Sequence, residues 1–277
     1  MYVFSQRIRV LITVLASPEP SSKYGDTVCV AGIRIDGDRA EWVRLYPYAP
    51  RWVEKAHRFR KFDVIDVDVH RGSNDNRPES FRPDLDSISV IDHIDDRKQR
   101  HAIVARLPKT STCELSEYGA TPQAPSLGLV PVRSLDDILI EPFDGWTPAQ
   151  QKRIADAQNL SPLELFSAAA RTPPMLEAPR FVARYEYKCM ANGCNGHTGQ
   201  ILDWELTALQ LNLKRFDDES AKREIEKKFR TEMFSPEREP SFFMGNFAAP
   251  AKRRSFSVLG IYRPLRRETI TPAPTLF

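Results

Sequence analysis

The chain has 277 residues, 28% of them charged and 41% hydrophobic, with a formal net charge of +3 at pH 7. This length predicts two or three folding units. The composition argues against a membrane protein, since no apolar run approaches the roughly 20 residues of a spanning helix, and so small a net charge does not by itself indicate a nucleic-acid partner. Four cysteines are too few for a disulfide framework, so we expect a reducing, cytoplasmic location.

The first hundred residues show the signals of β-strands. The run IRVLITVL could be mistaken for the core of a secretory leader, but Thr13 interrupts it, which favours a buried strand. TVCVAGIRI ends at the hairpin signal Asp36-Gly37, and EWVRLYP, FDVIDVDVH and SISVIDHI follow. Five short strands with long loops predict an OB-like barrel over residues 1–107. Periodicity alone does not separate this barrel from an SH3-like one.

The remainder of the chain mixes strands and helices. Residues 108–175 are predicted to hold a linker, a second set of strands in LGLVPVRSL and DDILIEPF, and two short helices that start at Thr147-Pro148 and Ser161-Pro162. Residues 176–277 are predicted as a second β-rich unit with the helices DWELTALQLNLKRF and SAKREIEKKFRTEMF. The predicted fold class is therefore α+β and β-rich, with two small OB-like barrels and a helical C-terminal region that could bind zinc.

The segment YKCMANGCNGHTGQILDWE carries the pattern Cys-x4-Cys-x2-His, formed by Cys189, Cys194 and His197. Thiolates and imidazoles are the ligands that zinc prefers in a tetrahedral site, so we predict Zn2+ at these three residues. A structural site needs four ligands, and no Cys or His follows His197 in the chain. The fourth ligand is left open between Asp203, Glu205, His101, Cys113 and water.

Water as the fourth ligand would make this a catalytic site. The alternative function is then a metal-dependent hydrolase or nuclease centred on Cys189, Cys194 and His197, with Asp203 or Glu205 as its base. The same two carboxylates also suit the first turn of a predicted helix, where acidic side chains are favourable. The simplest alternative is an ordinary turn that holds two free cysteines.

The strand EWVRLYP presents two rings and a cation on one face, namely Trp42, Arg44 and Tyr46. Single-stranded nucleic acid is bound by rings that stack on bases and by cations that contact phosphates. Further basic residues extend this predicted interface: Arg58, Arg60, Lys61, Arg71, Arg77, Lys252, Arg253 and Arg254. The competing interpretation is packing, because a strand face covered by another domain would show the same pattern.

Five blocks of the sequence resemble a bacterial family of dual OB-domain proteins. These blocks are YGDTVCVAGIRIDGDRAEWVRLYP, RPESFRPD, CMANGCNGHTGQILDWE, FFMGN and FSVLGIYRP, and in this order they span most of the chain. The resemblance implies two OB-like barrels, the first near residues 1–105, and brings no established activity. The positions that look like signature residues are Cys189, Cys194, His197, Asp203 and Glu205.

Together these patterns predict a cytoplasmic nucleic-acid-binding protein built on OB-like barrels. Its predicted partner is single-stranded or processed DNA or RNA, in genome maintenance or defence. No catalytic residue is assigned. OB-like barrels also bind proteins, so a protein-interaction module with a protein partner is a third alternative.

Overall fold

The computed structural model describes residues 5–50, 53–72, 75–119, 121, 123–159 and 176–270. Strands predominate and helices lie between them, so the fold belongs to the mixed α+β, strand-rich class that the sequence predicts. The predicted helix start at Ser161-Pro162 lies outside the described residues. Within those residues, every helix is too short or too polar to cross a membrane.

The first sheet contains the strands β1 Gln6–Leu15, β2 Glu19–Ser21, β3 Gly25–Arg34, β4 Glu41–Tyr48, β5 Asp63–His70, β6 Ser80–Pro83 and β7 Ser89–His93. Strands β1, β3, β4, β6 and β5 are hydrogen-bonded in that order, and β5 also pairs with β1, so the five close a barrel. All neighbours are antiparallel except β4 and β6. This is the circuit of an OB barrel, which we call barrel 1.

Alternation along the strands of barrel 1 separates its core from its outer face. Val43 and Leu45 on β4 point inwards, as predicted, and are 2% and 1% exposed. On β5, Asp66 points outwards and forms an ion pair with Arg9, its partner in register on β1. Asp66 and Asp68 of FDVIDVDV therefore belong to the polar outer surface of a strand, whereas Asp63 is buried and accepts from the backbone of Arg60.

The second sheet follows the same circuit. Its strands are β8 Leu127–Pro142, β9 Phe181–Cys189, β10 His197–Gln200, β11 Ser241–Asn246 and β12 Phe256–Tyr262, in the order β10-β9-β8-β11-β12. A parallel bridge between Ile201, just after β10, and Val258 on β12 links the two edge strands. Taken in chain order, strands β8 to β12 correspond to β1, β3, β4, β5 and β6 of barrel 1 and are paired in the same order. The parallel contact between β10 and β12 corresponds to the parallel pair β4 and β6. We call this unit barrel 2.

The described helices are α1 Arg97–Val104, α2 Thr112–Tyr118, α3 Pro148–Gln158, α4 Trp204–Asn212, α5 Asp218–Glu226 and α6 Arg266–Ile270. Helix α3 begins with the predicted capping box, in which Thr147 and Gln150 satisfy each other's backbone amides. Helices α4 and α5 lie between β10 and β11, where the sequence predicts two helices. Helix α2 occupies a stretch that the sequence predicts as a linker.

Strand β8 differs from the prediction of two separate strands. It is one strand of 16 residues, and register shifts near Arg133 and Asp136 accommodate its polar residues without breaking it. It precedes the predicted boundary at residue 175, yet it pairs with β9 and β11 beyond that boundary. The division of the chain at residues 107 and 175 stays a prediction.

An apolar layer joins the two barrels. It buries side chains of β1 and β3 that do not point into barrel 1, which explains why the run IRVLITVL is apolar at consecutive positions. Its members from the two barrels include Leu11, Val14, Ala31, Ile33, Leu127, Leu129, Phe243 and Leu259. The layer holds the outer surface of barrel 1 against barrel 2.

Candidate metal centre and inter-barrel groove

The Cys/His segment forms a turn between two neighbouring strands of barrel 2. Strand β9 ends at Cys189, β10 begins at His197, and Cys194 lies in the turn between them. Gly193 and Gly196 have φ values of 70° and 114°, a conformation that only glycine adopts without strain. The glycines therefore allow the chain to fold back and bring the three side chains together.

Helix α2 brings a third cysteine to this turn. Its capping box, formed by Ser111 and Glu114, fixes where the helix starts, so Cys113 lies in the first turn. The hydroxyl of Thr112 lies 2.8 Å from the buried hydroxyl of Tyr187 on β9, which docks the helix against the strand. Cys113 thus reaches the group from 76 residues before Cys189 in the chain.

The four side chains form a compact group, with their ligand atoms all within 4.8 Å of one another. Nε2 of His197 lies 3.4 Å from Sγ of Cys113, 3.4 Å from Sγ of Cys189 and 3.3 Å from Sγ of Cys194. The sulfurs of Cys113 and Cys189 are 3.7 Å apart. A tetrahedral zinc with bonds of about 2.3 Å to sulfur and about 2.0 Å to nitrogen separates two sulfurs by about 3.8 Å and a sulfur from the nitrogen by about 3.5 Å. The group can therefore hold a metal ion.

The structure shows which of the candidate fourth ligands joins the group. Cys113 joins the group, whereas His101 lies with Nδ1 2.6 Å from the hydroxyl of Tyr262. Neither Asp203 nor Glu205 belongs to the group. Four protein ligands form a closed site, and a catalytic zinc instead keeps one position open for water.

The electrostatics of the group favour at least one thiolate. Burial raises the pKa of Cys113 to about 12, and the sulfurs of Cys189 and Cys194 add to this effect. Burial acts in the same direction on Cys189, but hydrogen bonds from the backbone of Cys113 and Ala191 and from His197 outweigh it and lower its pKa to about 6. Backbone N–H groups that donate to a sulfur are typical of thiolates that bind metals.

The predicted nucleic-acid face of β4 is largely covered by barrel 2. The ring of Trp42 packs edge-on against Phe243, with centroids 5.8 Å apart. Arg44 is 3% exposed, and its guanidinium donates to the backbone and side-chain oxygens of Ser126. Only Tyr46 remains exposed. Trp42 and Arg44 therefore act in packing between the barrels, the interpretation that competed with nucleic-acid binding.

Two predicted basic clusters meet where the barrels join. Arg77 is buried, forms an ion pair with Asp75 and donates to the backbone oxygen of Asn246 on β11. Arg253 donates to the side chain of Asn76, 2.6 Å away. Both arginines therefore link the barrels through protein contacts.

Two exposed members of these clusters lie over aromatic rings. The guanidinium of Arg71 is 4.0 Å from the centroid of the Phe81 ring, and Nζ of Lys252 is 5.1 Å from that of Phe247. Arg254 is also exposed. These three cations remain accessible to a ligand.

Arg58, Arg60 and Lys61 lie at a groove between the barrels that contains two adjoining cavities. The apolar cavity, of about 340 Å³, is lined by Leu15, Val28, Tyr48, Pro50, Phe59 and Trp204, with Arg58, Arg60 and Lys61 as its basic residues. The basic cavity, of about 200 Å³, is lined by Lys61, Arg97, Arg100, Arg238, Arg263 and Tyr262, among others. Lys61, Asp203 and Glu205 belong to both cavities. We call the two together the inter-barrel groove.

The shared wall of the two cavities is a charged cluster. Nζ of Lys61 lies 3.1 Å from Glu205, whose other oxygen lies 3.6 Å from Nζ of Lys228. Burial would raise the pKa of Glu205, but these two lysines outweigh it and the pKa is lowered. Asp203 is 3% exposed and caps α4 by accepting from the backbone of Glu205. Burial raises the pKa of Asp203 to about 6, although Lys61 opposes the shift.

The raised pKa of Asp203 predicts a pH effect on stability. The folded protein binds the proton of Asp203 more tightly than the unfolded chain does. The stabilisation that results is fully present below pH 3.8 and is lost as the pH rises through about 6. Two pKa units correspond to roughly 3 kcal/mol. Asp203→Asn keeps a capping side chain and removes the titration. We subtract the free energy of unfolding of wild type from that of Asp203→Asn. We expect this difference to increase by up to roughly 3 kcal/mol between pH 4 and pH 7.

Urea denaturation of both proteins at several pH values measures this difference. Taking the difference cancels the titration of the cysteines, which is common to both proteins. A difference that stays constant between pH 4 and pH 7 would contradict the raised pKa of Asp203.

Several groove residues escape prediction from the sequence. Arg97 and Arg100 lie on α1 and Arg238 lies in a distant segment of the chain, and only the docking of the barrels brings them together. The sequence pattern favours a core position for Trp204, and the residue does pack against the core of barrel 1. The nearest signal in the sequence is the pair of basic runs at residues 58–61 and 263–267.

Two domain families match the chain, both described as domains of unknown function. DUF8758 matches residues 6–106, and DUF8757 matches residues 108–277. No curated protein matches the chain. A solved structure of a replication protein A heterotrimer bound to single-stranded DNA is similar at 11% identity and a TM-score of 0.38, over 96% of this chain and 51% of that chain. The chain thus spans about half the length of that chain, and a similarity this weak says nothing about function.

Proposed function

Since this chain belongs to the DUF8757 family, whose description assigns no function, we propose a function from the geometry: it binds single-stranded nucleic acid in the inter-barrel groove, while a zinc ion stabilises barrel 2. The strand order of the two sheets supports a dual OB-type protein. The nucleic acid and the zinc ion rest on different residues, so each is tested separately.

Zinc is the metal that best suits the Cys/His group. Three thiolates and one imidazole in a tetrahedral array are a common structural zinc set. Because Cys113 fills the fourth position, the geometry supports a structural role and gives no support to a hydrolase centred on Cys189, Cys194 and His197. The ion would tie α2 to the β9–β10 turn.

The observation that carries the nucleic-acid proposal is the clustering of cations around the groove. Seven basic residues line its two cavities, against the three acidic residues Asp203, Glu205 and Glu268. Arg263 and Arg100 both have pKa values lowered from the usual arginine range, first by burial and then by neighbouring arginines. Cations held this close to one another favour an anionic ligand such as a phosphate backbone.

Aromatic rings lie beside these cations. Phe59 and Trp204 line the apolar cavity, and Phe62 and Tyr262 line the basic cavity. Rings interleaved with cations are the usual components of a binding site for single strands. An unpaired base can reach rings in such narrow cavities, whereas the bases of a duplex are stacked and paired, so a single strand suits the groove better than a duplex.

The proposal predicts the effect of removing exposed cations from the groove. Arg60→Ala and Arg97→Ala each change an exposed side chain, one per cavity, and should leave folding intact. We expect the double variant to bind fluorescent single-stranded DNA or RNA roughly tenfold more weakly at low salt, and the slope of log affinity against log salt to fall by about 1.4. Fluorescence anisotropy over a salt series measures both.

Lys152→Ala is the matched control, because Lys152 is equally exposed and lies on α3, outside the groove. Its effect on affinity should be small. The proposal fails if wild-type protein binds neither DNA nor RNA at low salt. It also fails if the control weakens binding as much as the groove variant does.

A further inference from the structure

We infer that the apolar cavity beside Trp204 holds one unstacked nucleobase of the bound strand, with its phosphate at Arg58 and Arg60. The inference rests on the proposed function and adds where and how one base is recognised. Its starting point is the segment Asp203-Trp204-Glu205, which follows the metal-binding turn but takes no part in the metal group.

Trp204 reaches from barrel 2 onto barrel 1. It is the first residue of α4, and the cap formed by Asp203 fixes where that helix begins. The indole packs against the core cluster of barrel 1 while also lining the apolar cavity. A ring held from both barrels is preorganised to contact a flat ligand, because its own rotamer is already restricted.

Two further aromatic rings line the cavity. Tyr48 and Phe59 stack on each other with centroids 4.5 Å apart, and both line the cavity. Burial raises the pKa of Tyr48 to about 12, so its phenol is neutral at physiological pH. With Leu15 and Val28, these residues give a largely apolar interior suited to a ring, and unsuited to a phosphate.

The size of the cavity limits the ligand to one base and its sugar. Its volume of about 340 Å³ lies near the lower end of the range of roughly 300–1,000 Å³ for small-ligand sites. Enzymes and binding proteins that extrude a base place it in a snug pocket of this kind.

Charge sets the orientation of the nucleotide. Arg60 is a basic residue of the cavity with a 73% exposed side chain, and its nearest carboxylate, Asp63, is 3.8 Å away. Asp203 and Glu205 contribute carboxyl groups that would repel a phosphate. The phosphate therefore lies at the arginines and the base points towards the carboxyl groups. Carboxylates accept hydrogen bonds from exocyclic amino groups, so adenine, cytosine or guanine should be preferred to thymine or uracil.

The test uses 2-aminopurine, which carries an exocyclic amino group and fluoresces strongly when unstacked. It is placed in turn at every position of an oligothymidylate bound to the zinc-loaded protein. We expect the fluorescence to change at one or a few positions only, where the base exchanges its neighbours in the strand for the indole of Trp204. Trp204→Ala should abolish this position-specific change and weaken binding roughly tenfold, in line with the loss of one base–ring stack. Trp204→Phe should retain most of both signals.

Arg60→Ala provides a second variant that does not depend on the packing of Trp204. It should weaken the binding of the oligonucleotide and of deoxycytidine monophosphate alike. In competition experiments, deoxycytidine monophosphate should displace 2-aminopurine from the cavity better than thymidine monophosphate does. Melting temperature and zinc content of each variant verify that it is folded.

The outcomes separate this inference from the proposed function. Strand binding that is unaffected by Trp204→Ala, with no position-specific change in fluorescence, overturns the base site and leaves the proposed function standing. Mononucleotides that bind in a manner dependent on Trp204, without any strand binding, support the base site and overturn the proposed function. No binding of either ligand overturns both.

Discussion

Replacing Cys113 by serine is expected to remove the metal ion and to destabilise barrel 2. Cys113 supplies the only ligand of the group from outside the β9–β10 turn, so its loss leaves three ligands and releases α2 from the turn. Structural zinc contributes its binding free energy to folding, with apparent values of about 10–16 kcal/mol in zinc-finger peptides. Barrel 2 also has an apolar core, so we expect a smaller loss here, on the order of 5 kcal/mol, or roughly 10–20 °C in melting temperature.

Metal analysis and thermal unfolding measure this effect together. Wild-type protein should contain one zinc ion per chain, and Cys113→Ser much less. Cys29→Ser is the matched control, because Cys29 lies outside the metal group and accepts from Arg44, an interaction that serine can replace. Equal zinc contents in wild type and Cys113→Ser would contradict the assignment of the fourth ligand.

Replacing Arg44 by alanine is expected to loosen the contact between the barrels. Its guanidinium and the carboxylate of Glu79 both reach Ser126, at the start of barrel 2. Removing the arginine would leave the buried oxygens of Ser126 without this donor, which typically costs about 1–3 kcal/mol. Denaturant unfolding should show that loss.

Arg7→Ala serves as the comparison for Arg44→Ala. Arg7 also extends from a strand of barrel 1 and pairs with Asp68, but its side chain is 49% exposed. Exposed ion pairs contribute about 1 kcal/mol or less, so this variant should remain close to wild type. Similar losses in the two variants would mean that Arg44 has no special role between the barrels.

Local patterns in the sequence predict most of the fold. Alternation on β4 assigns Val43 and Leu45 to the core of barrel 1, and the capping box at Thr147 marks the start of α3. Cys189, Cys194 and His197 are recognisable because three ligands lie within nine residues of one another. In each case the interacting residues are neighbours in the chain, so spacing alone is informative.

Contacts between distant segments are not predictable in this way. Cys113 looks like an isolated cysteine in a linker, since nothing near it in sequence shows that α2 docks on β9. The pattern of Trp42 and Arg44 suits both a solvent-exposed ligand face and a face covered by another domain. The contacts of Trp42 with Phe243 and of Arg44 with Ser126 show that this face is covered by barrel 2.

The apolar layer between the barrels has a consequence for how the chain can be divided. The two domain families meet near residue 107, but a cut there would expose Leu11 and Ile33 on one fragment and Leu129 and Phe243 on the other. Fragments that display such surfaces tend to aggregate. The two matched segments therefore share one apolar layer, and we expect neither to remain folded and monomeric when it is expressed without a substitute for the other.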